Sequence, residues 1–152
     1  MKVELSQADL APLLSDYLVN GRKAESWSLQ SVTVDTTESR LVATLDMTST
    51  YSSATDRAGF HLTIFTSLEF TSQLMIIYAH VWAGLDKKVR EGWMVESKTR
   101  TVKAIRDSEG VLVEMHVKKM RQRGVNLYCD AHFKITDTQG GLFEVDLKGF
   151  LA

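Results

Sequence analysis

Between Leu62 and Leu85 the chain is apolar on nearly every side of a helix: Leu62, Ile64, Phe65, Leu68, Phe70, Leu74, Met75, Ile76, Ile77, Val81 and Trp82 leave no wet stripe. A helix of this kind has to be covered on more than one face. Its most apolar part, Leu68 to Trp82, carries Glu69, Gln73 and His80, and it is shorter than the ~20 apolar residues that span a bilayer. The spacing therefore predicts a buried helix of a globular domain and no membrane span.

On both sides of this segment the apolar period switches to two. Leu29 and Val32 to Val34 lead to a polar turn at Thr36 to Ser39, after which Leu41, Ala43, Leu45 and Met47 alternate with Val42, Thr44, Asp46 and Thr48; this reads as a hairpin. Thr48 to Gly59 is rich in Ser and Thr, has no period, and suits a loop. Beyond Asp86-Lys87-Lys88, four further strands are expected, around Trp93 to Arg100, Val111 to Lys118, Val125 to Ile135 and Phe143 to Lys148, with turns at Arg123-Gly124 and Gln139-Gly140-Gly141. Their connections are short enough for a meander. At the N-terminus, Ser6 with Asp9 resembles a capping box, and Leu10, Leu13, Leu14, Tyr17 and Leu18 keep helical spacing until Asn20-Gly21, with Pro12 inside the pattern.

Strands with one dry and one wet face form an antiparallel sheet covered on one side, and the single apolar helix is the cover. The expected class is α+β: one domain over residues 1–152, a short N-terminal helix, about six antiparallel strands and a long central helix. One sheet face cannot bury a helix that is apolar all round, so a homodimer or higher homo-oligomer is expected. With 152 residues, 44% apolar and 24% charged, the chain has the size and composition of one core. Its net charge of -1 supplies no field for nucleic acid. The single cysteine, Cys129, cannot pair within the chain, and the N-terminus lacks an apolar signal core, so a cytoplasmic location is the default expectation.

A helix wrapped by a sheet in this element order resembles the hot-dog superfamily, whose members mostly act on acyl thioesters of coenzyme A or acyl carrier protein. Two subfamilies are similar at the start of the helix. Glu69 followed four residues later by Gln73 resembles the FabZ-type 3-hydroxyacyl-carrier-protein dehydratases, although the loop where those enzymes place a histidine reads Thr55-Asp56-Arg57 here. Gly59-Phe60-His61 together with Ser72-Gln73-Leu74, and the C-terminal run Asp137-Thr138-Gln139-Gly140-Gly141 with Glu144-Val145-Asp146-Leu147, are similar to FcoT-like acyl-CoA thioesterases. Tyr51 to Ala152 is the span that carries the resemblance. It implies an enzyme acting on acyl thioesters, most simply a thioesterase. The alternatives it leaves open are a dehydratase or enoyl hydratase, and a non-catalytic acyl-binding module.

A carboxyl near the start of a buried helix can activate water or shuttle a proton, which makes Glu69 the first catalytic candidate. Thr66-Ser67-Leu68-Glu69 also reads as a capping box, in which Glu69 would only satisfy backbone N–H groups. His61, eight residues earlier, would lie about 12 Å away along a continuous helix; the resemblance implies a site between subunits, where His61 of one chain could face Glu69 of the other. It reads equally well as a histidine packed at the helix start. Gln73, one turn after Glu69, could orient the carboxylate or a thioester carbonyl, or could simply be a buried amide. Tyr51 and Asp56 are loop candidates for substrate binding. Lys118, Arg121 and Arg123, with Lys119, form a basic hairpin tip suited to coenzyme A phosphates or an acidic carrier protein, or to plain solvation. His80, His116 and His132 have no metal-ligand spacing, so no metal, cofactor or thiol nucleophile is expected.

Overall fold

A computed structural model of the chain describes residues 2–152. Its centre is α3 (Ile64–Trp82), packed on one face of a six-stranded antiparallel sheet built from β1 (Ser26–Asp35), β2 (Arg40–Ser49), β3 (Gly92–Lys103), β4 (Val111–Arg123), β5 (Asn126–Thr136) and β6 (Leu142–Leu151). The expected α+β class, the long helix and the six strands are all present. α3 starts two residues later and ends three residues earlier than the apolar run from Leu62 to Leu85. Leu62 instead donates its backbone N–H to the Ile105 carbonyl at 2.9 Å, and Gly84 turns the chain with a φ of 69°.

The alternation in β2, β4, β5 and β6 is what selects the buried face. Leu41, Ala43 and Leu45, then Val111, Val113 and Met115, Ala131, Phe133 and Ile135, and Phe143, Val145 and Leu147 all point at α3 and are essentially fully buried. From the helix they receive Phe70, Leu74, Met75 and Tyr78. Each Val, Leu, Ile, Phe or Met among them removed from water contributes roughly 1.5–3 kcal/mol. The opposite face is a ladder of charges, with Arg40 on Glu114, Lys118 on Asp146, Arg100 on Glu144 and Lys148 on Glu96.

Two sequence expectations are corrected. The last four strands are not a meander: β4, β5 and β6 follow one another in space, but the sheet order is β1-β2-β4-β5-β6-β3. β3 pairs with β6, Ser97 opposite Leu147 and Arg100 opposite Glu144. The reason is α3, which carries the chain from β2 across the buried face and releases it at the far edge. As an edge strand, β3 buries neither of the faces its alternation suggested; Trp93 is 63% and Val95 56% exposed.

The second correction concerns the N-terminus. The helix expected from Ser6 to Asn20 is broken into α1 (Gln7–Leu10), a 3₁₀ turn at Ala11–Leu13, a π turn at Tyr17–Gly21 and α2 (Arg22–Ala24). The Ser6–Asp9 capping box forms as expected, while Pro12 cannot donate to a continuing helix. Asn20-Gly21 does not end the segment, because Gly21 keeps a right-handed helical φ of -62°. It is glycine for another reason: a Cβ there would lie 2.4 Å from the Tyr51 ring.

Candidate active site

α3 is capped by Thr63, whose side chain accepts the Thr66 N–H at 3.4 Å. This displaces the capping box expected at Thr66 to Glu69. Glu69 sits in the second turn, free of any capping role, on the face of α3 that the sheet leaves open, and its side chain is exposed. The indole N–H of Trp27, on β1, donates to one of its carboxylate oxygens at 3.2 Å. Trp27 is itself seated edge-on against Phe70, ring centroids 6.0 Å apart. Gln73 follows one turn later on the same open face.

His61 and Asp56 meet within one chain. The loop before α3 holds Asp56 by its own backbone: its N–H donates to the Ser53 carbonyl at 3.1 Å, and its Oδ1 accepts the Ala58 N–H at 3.1 Å. The other oxygen, Oδ2, takes His61 Nδ1 at 2.8 Å. A carboxylate on Nδ1 fixes the imidazole orientation and leaves Nε2 for a ligand.

Beside this pair lies a polar cavity of about 170 Å³, lined by Tyr17, Glu25, Tyr51, Ser53, Asp56, His61 and Thr63. Tyr17 and Glu25 come from the N-terminal segment and gave no signal in the sequence beyond helical spacing. The Tyr17 hydroxyl donates to Glu25 Oε2 at 2.9 Å and shares a hydrogen bond of 2.6 Å with the Thr63 hydroxyl; Thr66 donates to the same Glu25 oxygen at 2.6 Å. Burial, reinforced by the adjacent Glu25 carboxylate, raises the Tyr17 pKa, so the phenol stays a neutral donor.

A second cavity, about 230 Å³ and mainly apolar, opens between α3 and the β3–β6 edge. Ser72, Met75, Ile76, Trp93 and Met94 line it, with Leu147, Phe150 and Leu151 and the backbones of Gly92 and Gly149. The buried Ser72 hydroxyl there has no partner among the described residues. Along α3 the order is therefore polar cavity, then Glu69, then apolar cavity.

The basic candidates lie elsewhere. Lys118 is on the outer face of the sheet and is paired with Asp146, and Arg121 stacks on the Tyr128 ring at 5.4 Å. Arg123 is exposed at the end of β4. The outer face points away from α3, so these three are not brought together with Glu69, His61 or Gln73 in the single chain. Cys129 is buried in the core, and burial pushes its thiol pKa up to about 12. Among the described residues no group of His, Cys, Asp and Glu is placed to hold a metal, and no helix is long and apolar enough to cross a membrane.

No protein-family model and no curated protein matches the sequence. Solved structures do match in shape. An Asp52Ala mutant of a hypothetical thioesterase from Streptococcus pneumoniae superposes with a TM-score of 0.55 at 12% identity, covering 84% of this chain and 91% of that one. Thioesterase HI1161 of Haemophilus influenzae gives 0.53 at 11% identity, covering 99% and 93%. Protein smu.793 of Streptococcus mutans, bound to acetyl CoA, gives 0.52 at 8% identity, covering 84% and 89%. Identities this low speak for shape alone, and with the helix-in-sheet topology they agree on one conclusion: this chain has the hot-dog fold.

Proposed function

We propose that this protein hydrolyses acyl thioesters as a homodimer, with Glu69 as general base and with Gln73 and His61 positioning the substrate. The observation that carries the reading is the placement of Glu69 and Gln73. They stand one turn apart on the uncovered face of α3, between a polar cavity and an apolar one. The thioesterases of Streptococcus pneumoniae and Haemophilus influenzae, and the acetyl CoA on the Streptococcus mutans protein, support the substrate class through the shared fold.

In this reading the acyl chain occupies the apolar cavity beside Met75 and Ile76. Glu69, steadied by the Trp27 N–H, removes a proton from a water that adds to the thioester carbonyl. The tetrahedral intermediate then collapses, the carbon–sulfur bond breaks, and the proton returns to the departing thiolate, giving a free acid and a thiol. Gln73 supplies an amide N–H toward the carbonyl oxygen as charge builds there. His61, held by Asp56, hydrogen-bonds the substrate from the polar cavity.

The edge of β3 supports the dimer. It is twelve residues long, unpaired on its outer side, and carries exposed Trp93, Met94 and Val95; an open apolar edge of this length is a template for pairing. A second copy paired there in antiparallel register would extend the sheet and cover the open side of α3, where Phe65 is exposed.

Turnover of octanoyl-CoA by the wild type and by Glu69→Gln tests the assignment. Loss of a general base costs about 10²–10⁴ in rate, so kcat should fall at least 100-fold with KM nearly unchanged; full activity in the variant sinks the role of Glu69. Free acid as the product establishes hydrolysis. Conversion of 3-hydroxyoctanoyl-CoA to the enoyl thioester, with octanoyl-CoA left intact, would make the protein a dehydratase instead.

A further inference from the structure

The apolar cavity between α3 and the β3–β6 edge has one feature that a plain hydrocarbon chain leaves unused. α3 contains four Ser and Thr residues, and three of them have partners. Thr66 donates to Glu25 Oε2 at 2.6 Å, Ser67 to the Ile64 carbonyl at 2.8 Å and Thr71 to the Ser67 carbonyl at 2.7 Å. Bonding back to the carbonyls of its own helix is the usual way for a mid-helix hydroxyl to be satisfied. Ser72 does neither. Its hydroxyl is buried, stands in the wall of the cavity, and has no partner among the described residues. Buried polar groups are nearly always bonded, because a hydroxyl taken out of water without a new partner costs free energy.

The rest of the wall does not satisfy it. Met75, Ile76, Leu147, Phe150 and Leu151 are apolar, and the Trp93 indole makes no hydrogen bond to it. A lone hydroxyl in an apolar wall is also a poor water site, since a buried water takes about two to four polar partners. The space itself depends on two residues without side chains. A Cβ at Gly92 would lie 2.7 Å from the end of Ile76, and one at Gly149 would lie 2.9 Å from the Trp93 carbonyl oxygen. Beside them the pairing of β3 with β6 slips between Met94 and Glu96, an irregularity of the kind that re-aims side chains next to functional sites.

Building on the hydrolase reading, we propose that the acyl group is oxygenated: it carries a hydroxyl or keto oxygen on its β carbon, and Ser72 hydrogen-bonds that oxygen from the cavity wall. Ser72 lies three residues beyond Glu69, about 4.5 Å along the helix. With the thioester carbonyl beside Glu69 and the chain running into the cavity, that step brings the neighbourhood of the β carbon level with Ser72. A serine hydroxyl donates to a keto oxygen, and it can donate to or accept from a hydroxyl, so both substituents use one recognition group. The reaction keeps its form: water adds to the thioester carbonyl, the carbon–sulfur bond breaks, and the products are a thiol and a β-oxygenated acid.

The test measures hydrolysis of octanoyl-CoA, 3-hydroxyoctanoyl-CoA, 3-oxooctanoyl-CoA and 8-hydroxyoctanoyl-CoA by the wild type, Ser72→Ala and Thr99→Val. Thr99 is the control: its buried hydroxyl also lacks a partner among the described residues, but it stands on β3 outside the cavity lining. One hydrogen bond to a hydroxyl that is otherwise unsatisfied should give at least one 3-oxygenated substrate a kcat/KM about tenfold above octanoyl-CoA in the wild type. Ser72→Ala should reduce that ratio to about twofold or less, the loss of one neutral hydrogen bond, and Thr99→Val should preserve it. The larger of the two wild-type ratios tells keto from hydroxyl. Ratios near one in the wild type overturn the proposal, as does a preference that survives Ser72→Ala. A preference for 8-hydroxyoctanoyl-CoA over both 3-oxygenated substrates overturns it too. Calorimetry separates this from the hydrolase reading, and 3-oxooctanoyl-CoA has no hydroxyl to lose as water. If no thioester is hydrolysed, that reading fails, and tighter binding of 3-oxooctanoyl-CoA than of octanoyl-CoA, abolished by Ser72→Ala, still upholds the contact. Equal affinities, or no binding, reject it.

Discussion

Trp27 donates to Glu69 from β1, the strand most distant from β3 in the sheet, and so, in the proposed reaction, would leave the other carboxylate oxygen to meet a water. Replacing Trp27 by Phe keeps an aromatic ring against Phe70 and removes only the N–H. A hydrogen bond to a charged group contributes about 1.5–3 kcal/mol, so kcat on octanoyl-CoA should fall tenfold or more. KM should barely move, which separates positioning of Glu69 from loss of substrate contact; a matching rise in KM would count against the positioning role. Cys129 offers a second check on a single residue. With its thiol held near 12 by burial, it should be inert to a thiol reagent at pH 8 in the native protein and react at once in denaturant. Fast native labelling would mean that the β5–β6 core opens.

At the scale of elements, the loop between β3 and β4 and the β5–β6 turn are tied together by one carboxylate. Asp137 accepts the backbone N–H groups of Arg106 at 2.7 Å, Asp107 at 3.2 Å, Gln139 at 3.0 Å and Gly141 at 2.6 Å. Partial burial acts to raise its pKa, but these four donors outweigh it and the net shift is downward. Asp137→Ala should therefore lower stability by about 2–3 kcal/mol in urea denaturation at pH 7. The sign of the pH dependence follows from the depressed value. The contribution is complete above the ordinary aspartate range near 4 and is lost as pH falls through the lower folded value, so the gap between wild type and variant should narrow on acidification below pH 4. A constant gap would mean that the carboxylate charge is not what holds the turn. The N-terminal segment shows how far local signals reach: the Ser6–Asp9 box forms as read, yet the segment breaks at Pro12 and then refolds around Tyr51, because contacts with β2 and α3 outweigh its helical spacing.

For the whole molecule, the open β3 edge and the half-covered α3 are the surfaces that the proposed dimer would bury. Sedimentation should give at least twice the chain mass, and Trp93→Lys with Val95→Lys, which places charge on the edge, should shift the protein toward monomer and reduce activity; a wild-type monomer with full turnover would remove the dimer from the reading. Much of this architecture was legible in the sequence. Periodicity is local, and it located the long helix, the six strands, the turn glycines and the face each central strand buries; residue type marked Glu69, Gln73, His61 and Asp56. What the tertiary structure decided was which distant parts meet. It sent β3 to the far edge, joined Asp56 to His61 within one chain, freed Glu69 from capping, set Trp27 against it, turned Lys118 and Arg121 to the outer face, and built a cavity wall from Tyr17 and Glu25. Those outcomes depend on the path α3 takes across the sheet and on side chains far apart in the chain filling one volume, which spacing along a sequence does not encode.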